Sequence, residues 1–123
     1  MILRIDRAWL LDIARHFLPA DPDVTDYGTL AAAVARHVDE VMEVPVYAGA
    51  HQRAAALMHQ LIRVPPLEFA NEHFAAVVAA AYLSASGVIV TVEPKSAAEL
   101  AARIRDGQAD IRETAAVIRT WYR

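Results

Sequence analysis

Apolar residues recur at spacings of three and four over most of this chain, and clusters of proline, aspartate and glycine separate the runs. The pattern centres on Leu61 to Gly87, where a polar loop leads straight into the longest uncharged stretch of the sequence. Pro65 and Pro66 each lack an amide hydrogen and bias the residue before them away from the α conformation, so the preceding helix is expected to stop near Arg63. A new helix should begin at about Phe69 or Ala70. It carries Phe74, Val77, Val78, Ala81 and Ala85 on one stripe, with Ala75, Ala76, Ala79 and Ala80 on the remaining faces. Apolar on every side, this helix is expected to be the most buried in the protein.

The other elements are arranged around it. Ile2, Leu3 and Ile5 form a short strand candidate, and Asp6 is placed to cap a helix from Arg7 to Leu18 with Trp9, Leu10, Ile13, Phe17 and Leu18 inward. Pro19 ends that helix. After the turn-rich ADPDVTDYG, Asp26 or Thr29 can cap a second helix through Val38, with Leu30, Val34 and Val38 on its inner side. The segment holding Val41, Met42, Val44, Val46 and Tyr47 cannot continue as helix past Pro45 and reads as a packed connector. Ala54, Leu57, Met58, Leu61 and Ile62 mark a third helix, Ala50 to Arg63. Val88 to Val92 reads as a strand that could pair with Ile2 to Ile5 in a minor ribbon. Ser96 is placed to cap a helix carrying Leu100 and Ile104 and ending near Gly107. Asp110 caps a last one carrying Ile111, Ala115, Val117, Ile118 and Trp121. The expectation is a single all-α domain over residues 1–123, with about six helices around a buried central helix and at most a minor two-stranded ribbon.

Composition excludes several classes of function. The absence of cysteine removes disulfides, thiol catalysis and cysteine zinc sites. Twelve basic and fifteen acidic residues are spread without a block of either sign, so bulk charge predicts no nucleic-acid binding. The N-terminal stretch is charged at Arg4, Asp6, Arg7 and Asp12, unlike a secretory leader, and the protein is read as cytoplasmic. Phe74 to Val92 is uncharged for 19 residues, close to a membrane span. Its alanines, its Ser84, Ser86 and Gly87, and its change to β-branched residues halfway fit a buried helix followed by a strand instead.

Five histidines, His16, His37, His51, His59 and His73, are the metal-ligand and general-base candidates besides carboxylates. His51 and His59, eight apart, could share a helix face, but no metal-binding spacing is present and no metal site is assigned. Glu68, Asn71, Glu72 and His73 make the one polar cluster on the central loop. They read either as an altered acid-base site or as ordinary groups at a helix N-terminus. Glu72 and His73, as helical neighbours, do not face each other, which favours the second reading. Asp26, Tyr27 and Gly28 read as a functional loop or as a capping turn.

The runs DYGTLAAAVARH, AHQRAAALMHQLIR and PPLEFANEHFAAVVAAAYLSASG, with the order of elements, resemble the Doc branch of the Fic/Doc family, the toxin half of toxin-antitoxin pairs. The resemblance spans Ile5 to Trp121. In that family the loop before the central helix reads H-P-F-x-D-G-N-K-R, and active members transfer a phosphoryl or nucleotidyl group from a nucleoside triphosphate to a protein hydroxyl. Laid on this pattern, the histidine base falls on Pro65 and the phenylalanine on Leu67. The magnesium-binding acid falls on Phe69, the glycine on Ala70, and the lysine and arginine on Glu72 and His73. Pro66 and Asn71 match. Phosphoryl transfer relies on metal and positive charge around the moving group, whereas this helix start carries Glu68 and Glu72, which are expected to sit beside its amides and satisfy its dipole themselves.

The resemblance therefore implies a Doc-like protein with a degenerate active-site loop, a pseudoenzyme that acts by binding a protein, most simply an antitoxin-like partner. The loop and partner groove would comprise Val64, Pro65, Pro66, Leu67, Glu68, Phe69, Ala70, Asn71, Glu72 and His73. Phe69 would either line that groove or turn inward and fill the core. No cofactor is expected; ATP and magnesium belong only to the alternative in which Glu68, Asn71, Glu72 and His73 support rewired transfer chemistry. A third reading is an unrelated helical interaction domain. None of the three involves a membrane or nucleic acid, and a homo-oligomer stays open.

Overall fold

A computed structural model describes residues 1–123. The chain forms α1 (Arg7–Phe17), α2 (Tyr27–His37), β1 (Glu40–Val41), β2 (Val44–Pro45), α3 (Ala50–Arg63), α4 (Asn71–Ala85), α5 (Pro94–Arg105) and α6 (Ile111–Arg119). It is an all-α bundle of six helices with one minor ribbon. No helix is long and apolar enough to cross a membrane.

Local chemistry sets most of the helix ends. Asp6 accepts a hydrogen bond from the Trp9 amide at 2.8 Å, and Asp26 accepts one from Thr29 at 3.2 Å. Of the two cap candidates for α2, Asp26 is therefore the cap, and Thr29 is buried inside the helix. At α6, Asp110 and Glu113 exchange side-chain to backbone bonds of 2.8 and 3.2 Å in a capping box. The α5 helix begins three residues earlier than a Ser96 cap predicts, because Pro94 occupies its first position, where a missing amide hydrogen costs nothing. Gly87 and Gly107 follow the C-caps of α4 and α5 with φ of 87° and 73°. The two residues beyond each cap return their amides to the last turn, Gly87 to Ser84 and Val88 to Leu83, Gly107 to Ile104 and Gln108 to Arg103. This reversal at Gly87 divides the uncharged run between the 15-residue helix Asn71–Ala85 and a non-helical connector.

The most enclosed helix is α3 rather than α4. Arg53 to Met58 are buried without interruption, and α3 packs against α2, α4, α5 and α6. Along α4 the buried residues are Phe74, Ala75, Val78, Ala79, Tyr82 and Leu83. Val77 and Ala81 are half-buried and Ala85 is exposed. An all-apolar pattern cannot reveal which side is left open, and here it is the Ala76, Val77 and Ala80 side. Phe17 is 57% exposed because nothing covers the last turn of α1, and Leu18, leaving the helix in extended conformation, enters the core instead. In α2 the deeply buried residue near the C-terminus is His37, while Val34 and Val38 are only half-buried.

The ribbon is not where the strand candidates place it. Glu40 pairs with Pro45 and Val41 with Val44, in the segment read as a packed connector, and Val41, Met42 and Val44 point to solvent. Val90 instead makes a single bridge with Tyr122, flanked by bonds of 2.9 Å from Thr91 to Trp121 and from Arg123 to Ile89. The N-terminal segment pairs with no strand, because side chains take its backbone groups. The Ile5 amide donates to His37 Nε2 at 3.1 Å, and the Leu3 carbonyl accepts from the Tyr82 hydroxyl at 2.7 Å.

Tyr82 links that segment to a buried cation. Its hydroxyl accepts from Arg53 Nε at 2.7 Å, while Arg53 Nη1 donates to the carbonyls of Tyr47 (3.0 Å) and Ala48 (2.7 Å). The His37 ring meets Tyr82 edge-on with centroids 5.7 Å apart. A second arginine works at the surface, where Arg63 Nη1 donates to the Ile104 and Arg105 carbonyls and ties α3 to the C-terminus of α5.

The ribbon turn is strained. Met42 and Glu43 have φ of 54° and 67°, a left-handed pair that costs about 1–2 kcal/mol for each residue with a β-carbon. Met42 is 92% exposed and gains no packing in return. Replacing the pair by Asn-Gly, the sequence such turns favour, is expected to raise stability by about 1 kcal/mol or more in chemical denaturation with an unchanged circular dichroism spectrum.

Candidate functional site

The loop between α3 and α4 is fastened to the loop before α2. The Pro66 carbonyl accepts from the amides of Thr25 (2.7 Å) and Asp26 (3.1 Å) and from the Thr25 hydroxyl (3.3 Å). Leu67 pairs with Val24 in an antiparallel bridge and is buried, so it anchors the loop in the core. Asp23 and Glu68 close the contact, the Glu68 amide donating to the Asp23 carbonyl (3.0 Å) and Glu68 Oε1 accepting from the Asp23 amide (2.9 Å). The DYG segment is thus both a capping turn, through Asp26, and a neighbour of the central loop.

Asn71 is engaged with the loop itself. Its Oδ1 accepts from the Leu67 amide at 2.9 Å and its Nδ2 donates to the Leu67 carbonyl at 3.0 Å, which closes the bend across Glu68, Phe69 and Ala70. Ala70, at the position that the pattern fills with glycine, has φ of 64°. An alanine thus holds the left-handed backbone that glycine adopts freely.

The four polar candidates do not converge. Glu68 turns to Asp23, Asn71 to Leu67, and Glu72 to Arg105 Nη1 at 3.1 Å, while His73 is exposed and makes no hydrogen bond. Neither Glu68 nor Glu72 bonds to the first amides of α4, which has no side-chain cap, although Glu72 lies in the first turn as expected, where its charge faces the positive end of the helix dipole. Arg105 lies between Asp106 and Glu72 and is held above the usual arginine range by hydrogen bonds to them, Asp106 first; the same contact lowers Asp106. These groups are exposed, and their ion pairs contribute little to stability.

Phe69 is 44% exposed and does not fill the core. Pro65 is exposed, and Val64 is half out of the surface. The groove next to the site runs between α4 and α5 rather than along the loop. Ala76, Val77 and Ala80 form one wall and Ala97, Ala98 and Ala101 the other, with Val92 and Pro94 completing a space of about 380 Å³. Of the loop residues only Glu72 and His73 reach it, at one end. Short side chains on both helices create the depression, since neither helix carries one long enough to fill it.

The remaining histidines are separate. His16 bonds to the Asp12 carbonyl at 2.8 Å. His51 stands edge-on to Tyr122, with centroids 6.0 Å apart; burial lowers its pKa, and Arg119 and Arg53 lower it further. Burial also lowers His59, beside Arg36 and Arg63. No three histidine, aspartate or glutamate side chains gather as metal ligands. The buried polar set of His37, Arg53 and Tyr82 is absent from the sequence reading. Its only signal is an arginine and a tyrosine inside otherwise apolar helical stripes, where each needs a partner. Compared with known proteins, the chain matches no family model and no curated protein.

The loop geometry makes two opposite predictions. Ala70→Gly relieves a left-handed alanine and should stabilise the fold by about 0.5–1 kcal/mol. Asn71→Ala leaves the backbone groups of Leu67 without partners and should cost about 1–3 kcal/mol. Urea midpoints of the two variants check both signs.

Proposed function

We propose that this chain is a Doc-like protein in which the loop has lost transfer chemistry and which acts by holding a protein partner of the antitoxin type in the groove between α4 and α5. The observation that carries this reading is the pairing of a nearly all-apolar groove with a neighbouring loop in which Glu68, Asn71 and Glu72 are already committed to the fold, leaving His73 alone without a partner. A segment of a partner can bury apolar residues against the alanine walls, in the manner of a helix laid in a groove. A nucleotide triphosphate finds no comparable welcome. Pro65 offers no base, Phe69 no metal ligand, and the side chain at the start of α4 that reaches for a charge is Glu72.

General-base catalysis alone contributes about 10²–10⁴-fold, so the protein should transfer no label from γ- or α-labelled ATP with magnesium to proteins of a cell lysate. Labelling that disappears in His73→Ala or Glu72→Ala would overturn the binding reading and establish a rewired transferase. The partner is sought as the product of the adjoining gene, co-expressed and purified with this chain. Ala80→Arg and Ala98→Arg, which fill the groove from either wall, should leave the circular dichroism spectrum unchanged and abolish co-purification. A complex that survives both substitutions would remove the groove from the function.

A further inference from the structure

Residues Leu3 to Ile5 lie over the bundle and are held there by one histidine and one tyrosine. His37, the last residue of α2, is almost completely buried. Its Nε2 accepts from the Ile5 amide at 3.1 Å, and its Nδ1 bonds to the Val34 carbonyl. A carbonyl can only accept and an amide only donate, so the ring must carry its proton on Nδ1 and a lone pair on Nε2. Only the neutral imidazole has that arrangement. The charged groups near the ring are Arg4 of the segment itself and Arg53 of α3, and the titratable group on α4 is Tyr82, edge-on to the ring with its hydroxyl between Arg53 and the Leu3 carbonyl. No carboxylate stands close enough to favour a cation.

We propose that Leu3 to Ile5 form a proton-operated strap, clamped over the bundle while His37 is neutral and released when His37 takes up a proton. A protonated ring presents an N–H to the Ile5 N–H, so two donors meet and the clamp is lost. Ile5 is part of the apolar core and Leu3 packs against it, and release uncovers the surface they cover. His37 and Tyr82 are the only side chains that make a polar contact with the strap, and core residues such as Leu57, Leu61 and Phe74 make none, which allows the strap to open while the bundle stays folded.

The pH window follows from the direction of the shift. Burial lowers the His37 pKa, and Arg53 and Arg4 add to the effect against the opposing backbone bonds of the ring. In the released state the ring returns towards its ordinary value, about 6.5. The closed strap is therefore fully favoured above that value. Below it the opening equilibrium rises about tenfold per pH unit, until the lowered pKa of the closed state is reached.

Amide hydrogen exchange between pH 8 and pH 5, corrected for intrinsic rates, tests this on the full chain alongside ¹⁵N shifts of the His37 ring. Ile5 should lose protection about tenfold per pH unit below about 6.5, while the amides of Leu57 and Leu61 keep theirs and the ring moves from the Nδ1-protonated neutral form to the cation. His37→Gln, whose side-chain oxygen accepts without titrating, should abolish the pH dependence of Ile5. Should that variant not fold, the wild-type comparison decides alone. Ile5 protection that persists after the ring is protonated, or that disappears together with Leu57 and Leu61, would overturn the strap.

Discussion

The fold depends on a buried guanidinium without a counter-ion. Arg53 lies in the first turn of α3, the most enclosed helix, and no carboxylate pairs with it. Burying an ion costs several kcal/mol after relaxation, and dipoles offset that cost here. Two carbonyls following the ribbon, at Tyr47 and Ala48, and the Tyr82 hydroxyl accept its protons. Each acceptor belongs to a different part of the chain from α3, so satisfying one cation fixes α3 against α4 and against the segment after β2. Tyr82 then extends the same constraint to the N-terminal segment through Leu3 and, through its ring, to His37 at the end of α2. Apolar packing gives the bundle its stability, and this network determines how its elements are set against one another.

The position of the candidate site follows from that constraint. Arg53 and Tyr82 hold α4 on α3 by its Phe74, Val78 and Tyr82 side, which leaves Ala76, Val77 and Ala80 towards α5. Arg63 then ties the end of α5 to α3 on the same side, with small residues on α4 and α5 and a groove between them. At the head of α4, Pro66, Leu67 and Glu68 are bound to residues 23–26, so backbone bonds hold the loop in place. Glu68, Asn71 and Glu72 beside the groove turn to three different partners and do not converge on one point.

What could be read from the sequence was local. Asp6, Asp26 and Asp110 cap helices through residues three positions away, Pro65 and Pro66 end α3, and Gly87 reverses the chain through its own backbone freedom. The strand candidates failed because the partners of Leu3 and Ile5 are Tyr82 and His37, 79 and 32 residues away, and they are side chains. The ribbon was hidden because Met42-Glu43 has none of the residues that favour its turn. In α4, alanine at open and closed positions looks the same, so the pattern showed an apolar helix and not its groove. The loop was placed correctly, but the directions taken by Glu68, Asn71 and Glu72 depend on Asp23, Leu67 and Arg105, which spacing along a helix does not encode.

The claim that Arg53 and Tyr82 act as one unit is tested most directly by a double-mutant cycle of Arg53→Met and Tyr82→Phe, read by urea denaturation. Breaking a buried charged network from one side leaves polar groups unpaired and typically costs about 3–5 kcal/mol, whereas removing both partners relieves part of that penalty. The account predicts that the double variant is less destabilised than the sum of the single variants by about 1–3 kcal/mol. Additivity within about 0.5 kcal/mol would contradict it, and would mean that α3 and α4 are set against each other by apolar packing alone.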